Sequence, residues 1–224
     1  MRRDTMSPTA RILLLWAGFG ATHIGLSSLP VRDRIVARIG ERPFRVLYAL
    51  VAYTLFIPLV WTFFANKHGG TWLWILERGM VLRWAIYVAV GLAFVFLVAS
   101  FARPSPASLM RGDPTARGVY RITRHPFAMA LAIFALLHLP PNIGRNPDVA
   151  FCGGLIAFSV LGCWHQDRRK LALGAQGFRE FAEATPFFPF TGRESLRGVR
   201  ELSPIVVGLG IGATIIVRYF QLVD

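Results

Sequence analysis

The chain has 224 residues, 54% of them hydrophobic, and a mean hydropathy of +0.48. Ordinary soluble domains do not reach that value with so many long uncharged runs, so the composition points to a polytopic membrane protein. The net charge of +13 would suggest nucleic acid in a soluble chain. Here the arginines sit between apolar runs, as loops facing anionic lipid do, and no RNA-binding signature accompanies them, which excludes nucleic acid as a partner.

Six runs are long enough to span, or nearly span, a hydrocarbon core of about 30 Å. They cover residues 11–29, 44–65, 82–101, 126–139, 149–165 and 203–220. The fold class they predict is all-α, a polytopic integral membrane helical bundle of about six transmembrane helices. Residues 1–202 read as one membrane domain of five helices plus an interfacial amphipathic segment, with 203–224 as a C-terminal transmembrane helix packed on it. Loops 30–43, 102–125 and 166–202, with Arg45 at a boundary, hold 17 of the 25 Lys and Arg. An excess of that kind places those loops in the cytoplasm and both termini outside. Arg2 and Arg3 precede the first run without a cleavage pattern after it, so the run reads as a spanning helix rather than a leader.

The first run carries His23 within THIGLSS, with Ser27 one turn on and Phe19 one turn back along the same face. An imidazole inside a membrane helix is costly unless partnered, so it is either a functional group or a neutral ring hydrogen-bonded to Ser27 or a nearby carbonyl. The second run opens with Arg42, Pro43 and Arg45 at the interface and contains Pro58, which predicts a kink. Tyr48 and Tyr53 read as packing residues. His68 falls in the polar turn NKHGG as an exposed loop histidine, and Trp72, Trp74 and Trp84 read as an interfacial aromatic belt. The third run ends at residues 103–106 (RPSP), and GDPTARG (112–118) predicts a turn.

The stretch 118–138, GVYRITRHPFAMALAIFALLH, combines a basic threshold with an apolar helix. Pro126 suits the first helical turn, where its missing N–H has no partner to lose. Arg121, Arg124 and His125 at that end either bind an anionic group or snorkel at the interface. His138 lies roughly 20 Å further along the axis and faces nearly the opposite way, so the two histidines serve different sites. A turn at 140–148 leads to the fifth run, which ends in CWHQDRRK. There His165, Asp167, Arg168 and Arg169 read as a solvated, basic helix end, or as a place where Asp167 pairs with Arg124 or orients a histidine. Cys152 and Cys163 stand about 16 Å apart on this one helix and have neither disulfide nor metal-ligand spacing. Residues 171–190 alternate Leu171, Leu173, Phe178 and Phe181 with Arg179, Glu180 and Glu183, an amphipathic pattern that suits the membrane interface. Gly208, Gly210 and Gly212 in the last run follow no strand, so they read as close helix packing rather than a dinucleotide fingerprint. The apolar spans hold no acidic residue, which argues against a proton pump or cation transporter.

THIGLSS, VRDRIVARIGERPFRVLYAL, GVYRITRHP, the LLH thirteen residues beyond its histidine, and HQDRRKLALG together resemble the NnrU family, over about residues 12–192. That family includes the zeta-carotene isomerases of plants and cyanobacteria, and its bacterial members are linked with denitrification and nitric oxide metabolism. The resemblance implies a helical bundle in the bacterial inner membrane that holds haem b between histidines. It implies a haem-dependent isomerase whose activity follows the redox state of the iron, acting on a lipophilic small-molecule substrate such as a polyene. Its ligating histidines fall on His23 and His138. Trp16, Phe19, Leu131 and Phe134 would pack on the porphyrin, and Arg42, Arg121 or Arg124 would meet its propionates. His125 or His165 is the substitute partner if the depths of His23 and His138 disagree. Some isomerases carry a cysteine three residues before the second ligand, proposed to exchange on the iron; here that position is Ala135. The sequence leaves the oligomeric state open.

The RHP motif, the helical pair and the basic segment also resemble integral-membrane methyltransferases. In that reading Arg124, His125, Asp167 and Arg168 form an S-adenosylmethionine pocket. The chain has Phe127-Ala-Met-Ala where those enzymes carry Tyr-x-Gly, and Gln166-Asp167 where they carry Glu-Glu. A third reading is a non-enzymatic haem sensor or assembly factor.

Overall fold

The computed structural model describes residues 6–75, 79–102, 104, 115–139, 144–175 and 177–223, with side chains as far as 219. The expected ends at 103–106 and 112–118, and the first part of the 140–148 turn, lie wholly or partly outside the described residues. The chain is mostly helical and divides into two compact units, Met1–Glu77 with His138–Phe158, and Arg78–Leu137 with Ser159–Asp224.

In the first unit, α1 (Pro8–Ser27) starts where the Ser7 hydroxyl accepts the Ala10 N–H at 3.2 Å, with Pro8 in its first turn. Ser28 is extended, and α2 (Leu29–Ile39) leaves at 69° to α1. The stretch expected as loop 30–43 is therefore largely helical. Pro30 occupies a first-turn position where a missing N–H costs nothing. Gly40, at φ +86°, then ends the helix with a backbone conformation that L side chains rarely adopt. Next comes α3 (Glu41–Asn66), in which the Thr62 hydroxyl donates to the Pro58 carbonyl at 2.7 Å. The α1 and α3 helices run antiparallel, with Tyr48 beside His23 and Leu55 beside Gly18. Ile12, Trp16, Phe19 and Leu59 form the core between them with Ala150.

Two short strands, β1 (Trp72–Trp74) and β2 (Gly144–Arg145), pair antiparallel. The Arg145 guanidinium lies 3.8 Å above the Trp72 ring, so this part of the aromatic belt is also a structured ribbon. His68 is exposed as expected, yet its ring stands 3.5 Å from Asp148. Helix α7 (Asn146–Ala172) follows, and its first half belongs to this unit, where the Trp16 indole N–H donates to the Phe151 carbonyl at 3.2 Å.

The second unit contains α4 (Met80–Ala102), α5 (Val119–Ile122), α6 (Pro126–His138) as far as Leu137, the second half of α7, α8 (Phe178–Ala184), α9 (Ser195–Arg200) and α10 (Pro204–Val223). Its core joins Phe96, Tyr120, Ile122, Met129, Phe178 and Phe181. The amphipathic pattern of 171–190 resolves into the short α8, whose two phenylalanines enter this core, while Leu171 and Leu173 stay exposed. Helices α4 and α10 pack together. Of the three glycines in α10, only Gly210 makes a close approach: a Cβ there would stand 2.8 Å from the Val95 Cα, whereas Gly208 and Gly212 have nothing within 4 Å. Backbone cannot yield as a flexible side chain can. Gly210→Ala is therefore expected to cost about 1–3 kcal/mol, and Gly208→Ala and Gly212→Ala close to nothing, in thermal unfolding of the detergent-solubilised chain.

The protein is thus an all-α membrane protein by composition and helix length. Among the described residues three helices are long and apolar enough to cross a bilayer: Glu41–Asn66, Met80–Ala102 and Asn146–Ala172. The bent pair α1–α2 makes a fourth if taken as one span. Helices Pro126–His138 and Pro204–Tyr219 are apolar but shorter.

Candidate functional site

Each unit holds one group of sequence-predicted residues. In the first, the His23 imidazole is bordered by the rings of Phe19, Tyr48 and Phe158, with centroids at 5.2, 4.8 and 5.1 Å. Helical spacing puts Phe19 one turn below His23 on the same face, and the antiparallel register of α3 brings Tyr48 across. The backbone carbonyl of His23 accepts the Tyr48 hydroxyl at 3.1 Å and the Ser27 hydroxyl at 2.7 Å. Ser27 thus engages the main chain of His23. Sequence reasoning took Tyr48 for packing alone; the signal it missed is a phenol placed to reach a carbonyl at the bend between α1 and α2. The His23 ring thus stands in an apolar, aromatic setting, and an imidazole is the commonest protein ligand of metals.

His138, the last residue of α6, is half-buried and belongs to the same compact unit as His23. Arg42, in the first turn of α3, is exposed and also in this unit. Trp16 packs against Phe19, Phe151 and Phe158. Among the described residues no group of three or more His, Cys, Asp and Glu converges on one point. Haem would need only histidine nitrogens in an apolar pocket to hold it, and the imidazole of His23 would suit that need.

The second group lies where α5, α6, α7 and α8 meet. Thr123 is extended and fully buried, its hydroxyl donating to the Phe187 carbonyl at 2.7 Å. Main-chain bonds from Arg124 to Pro186 (2.9 Å) and from Phe190 to Ile122 (3.1 Å) lash the 186–190 strap to the RHP motif. The Arg124 guanidinium then donates from Nε to Asp167 at 2.7 Å and from Nη1 to the Thr185 carbonyl at 2.8 Å, and lies 5.2 Å from the centre of the Phe187 ring. His125 Nε2 stands 2.9 Å from the other Asp167 oxygen, with its side chain only 3% exposed. That approach lies outside hydrogen-bond geometry.

Asp167 therefore bridges Arg124 and His125, both pairings the sequence allowed, and is not a solvated helix end. The strap residues Thr185 and Phe187 went unseen in the sequence, although TPFFPF marks a turn rich in rings. Below the cluster, Glu201 accepts the Gly118 N–H at 2.8 Å and Arg121 Nε at 3.0 Å. The Gly118 bond first, and then Arg121, hold its carboxyl below the ordinary value of 4.5. Arg121 also reaches Glu194 at 3.3 Å. His165 lies partly exposed on α7, and Ala135 is buried.

The cluster satisfies its own charges and leaves His125 no open face, which makes it a clasp joining three helices to the strap.

The chain is 32% identical over 192 residues to the 15-cis-zeta-carotene isomerase, chloroplastic, of Arabidopsis thaliana, covering 82% of this chain and 50% of that one. It is 29% identical over 197 residues to the protein of the same name from Zea mays, covering 83% and 52%. The chain thus spans about half the length of the curated relatives it matches. No solved structure matches it. The sequence model described as NnrU protein matches residues 11–222, from the first turn of α1 to the last of α10: the chain belongs to the NnrU family.

Proposed function

We propose that this chain is an integral membrane cis–trans isomerase acting on a lipophilic polyene of the carotenoid class, with haem b held by His23 and His138. The observation that carries the reading is the setting of His23: an imidazole bordered by three aromatic rings, in a chain similar to proteins named as zeta-carotene isomerases. When bound, haem supplies a redox-active iron beside which rotation about a conjugated double bond becomes easier.

The chain's own residues do the rest. Tyr48 and Ser27 grip the His23 carbonyl and so fix the turn of α1 that carries the imidazole. Phe19 and Phe158 border the ring and limit the directions from which it can be reached. Of the three arginines offered to the propionates, Arg121 and Arg124 already bind Glu201 and Asp167. Arg42, exposed in the unit that holds both histidines, is the better candidate. The same reading counts α6 and α10 as spans, which gives six, and puts the basic loops on the cytoplasmic side of a bacterial inner membrane.

The test is the absorbance of the protein purified in detergent, oxidised and reduced, together with carotenoid conversion in a reporter strain. A Soret band present in the unsubstituted chain and in His68→Ala, but absent in both His23→Ala and His138→Ala, is the expected result, with conversion lost in the same two variants. A colourless protein, or a Soret band kept by either variant, removes the haem assignment. Conversion absent from the coloured, unsubstituted chain removes the isomerase.

A further inference from the structure

At the end of α1 and α3 far from His23, Ile12 and Leu59 close the core of the first unit. Beyond Leu55 the α3 helix carries Pro58, which has no N–H to give, and the Thr62 hydroxyl turns back to the Pro58 carbonyl. Between the helices lies an open groove of about 440 Å³, lined by Arg11, Leu14, Leu15, Pro58, Trp61 and Thr62. That volume falls in the range of small-molecule sites, roughly 300–1,000 Å³. The walls are apolar, and the hydroxyl of Thr62 is already bound within its own helix.

Arg11 is the one charge lining the groove, and among the described residues no carboxylate pairs with it. It lies in the first turns of α1, beside Trp61, which is 77% exposed. A tryptophan and an arginine at one level near a helix end mark the depth of lipid headgroups. Arg11 is twelve residues before His23, about 18 Å along the helix, so the groove and the aromatic pocket are separate.

We propose that this groove binds an acidic phospholipid, one acyl chain lying between Leu14, Leu15 and Trp61 and the phosphate paired with Arg11. A hydrocarbon alone would leave the guanidinium without a counter-charge, and a polar solute would not fill apolar walls. An amphiphile with a negative head satisfies both. The pairing is a charge-assisted one in which a guanidinium takes a phosphate.

The test is native mass spectrometry of the full chain in detergent, titrated with phosphatidylglycerol, with phosphatidylcholine of the same acyl chains, and with inorganic phosphate. The unsubstituted chain is expected to retain phosphatidylglycerol about tenfold more tightly than phosphatidylcholine, the factor that one charge-assisted contact supplies. Arg11→Gln, on an exposed side chain, erases that preference. Leu14→Trp fills the groove and lowers both lipids while the cation remains. Equal retention of the two lipids by the unsubstituted chain overturns the proposal. So does a preference that survives Arg11→Gln, lipid binding unchanged in Leu14→Trp, or inorganic phosphate bound as tightly as the lipid.

Discussion

Asp167→Ala is expected to destabilise the protein by about 3–5 kcal/mol, the range for removing one partner from a buried ion pair. The side chains of Asp167 and His125 are 8% and 3% exposed, and that of Arg124 is 16% exposed. Without the carboxylate, a guanidinium that cannot lose its proton stays in the interior with only carbonyls for company. The contrast within the same unit is the Arg197–Glu194 pair, 64% and 54% exposed, whose loss is worth about 0–1 kcal/mol because water screens it. Denaturant titration of the detergent-solubilised protein, followed by tryptophan fluorescence, reads both. The double variant Arg124→Met with Asp167→Leu should recover much of the loss, since the damage comes from the orphaned charge rather than from missing attraction. A single-variant cost below about 1 kcal/mol would mean that the cluster is hydrated like the surface pairs.

Phe181→Ala should cost a similar amount, about 3–5 kcal/mol. Its ring is 1% exposed and meets Tyr120 edge-on at 5.7 Å. Removing it leaves a void lined by Tyr120, Phe178 and Ile122, side chains already committed to the core. One turn later on the same helix, Thr185 donates its hydroxyl to the Phe181 carbonyl and offers its own carbonyl to Arg124. The damage is therefore expected to reach the clasp: Phe181→Ala should speed proteolysis of the 185–193 strap, whereas Phe181→Leu should spare it and lose less stability in the same titration.

Much of this architecture is legible in the sequence. Each of the six apolar runs falls on a helix, because a run of that length without charge has few other ways to satisfy its backbone in lipid. Pro126 opens α6 and His138 closes it, as the spacing required. Helix α2 was read as loop because Arg32, Asp33, Arg34 and Arg38 mask its Val and Ile, although Pro30 and Gly40 mark both of its ends. The ribbon of β1 and β2 is too short for any periodicity to register. The clasp needs Arg124 to find Asp167 across 43 residues; residue types hinted at the pair, but pattern carries no long-range register. The glycine triplet promised close packing, and geometry delivered it at Gly210 alone. His23 stands out in the sequence as an imidazole in a membrane helix, whereas its three neighbouring rings and the Tyr48 hydroxyl come from α3 and α7 or from the turn below and only the fold assembles them.

The strap also dictates an order of assembly. Gly118, Ile122, Thr123 and Arg124 take their partners from residues 182–201. At synthesis rates of about 5–20 residues per second, those partners leave the ribosome several seconds after the RHP motif does. Until Asp167 is made, 43 residues after Arg124, the nascent chain presents an unclaimed guanidinium at the mouth of the insertion machinery, and the carbonyls of Ala182 and Thr185 arrive later still.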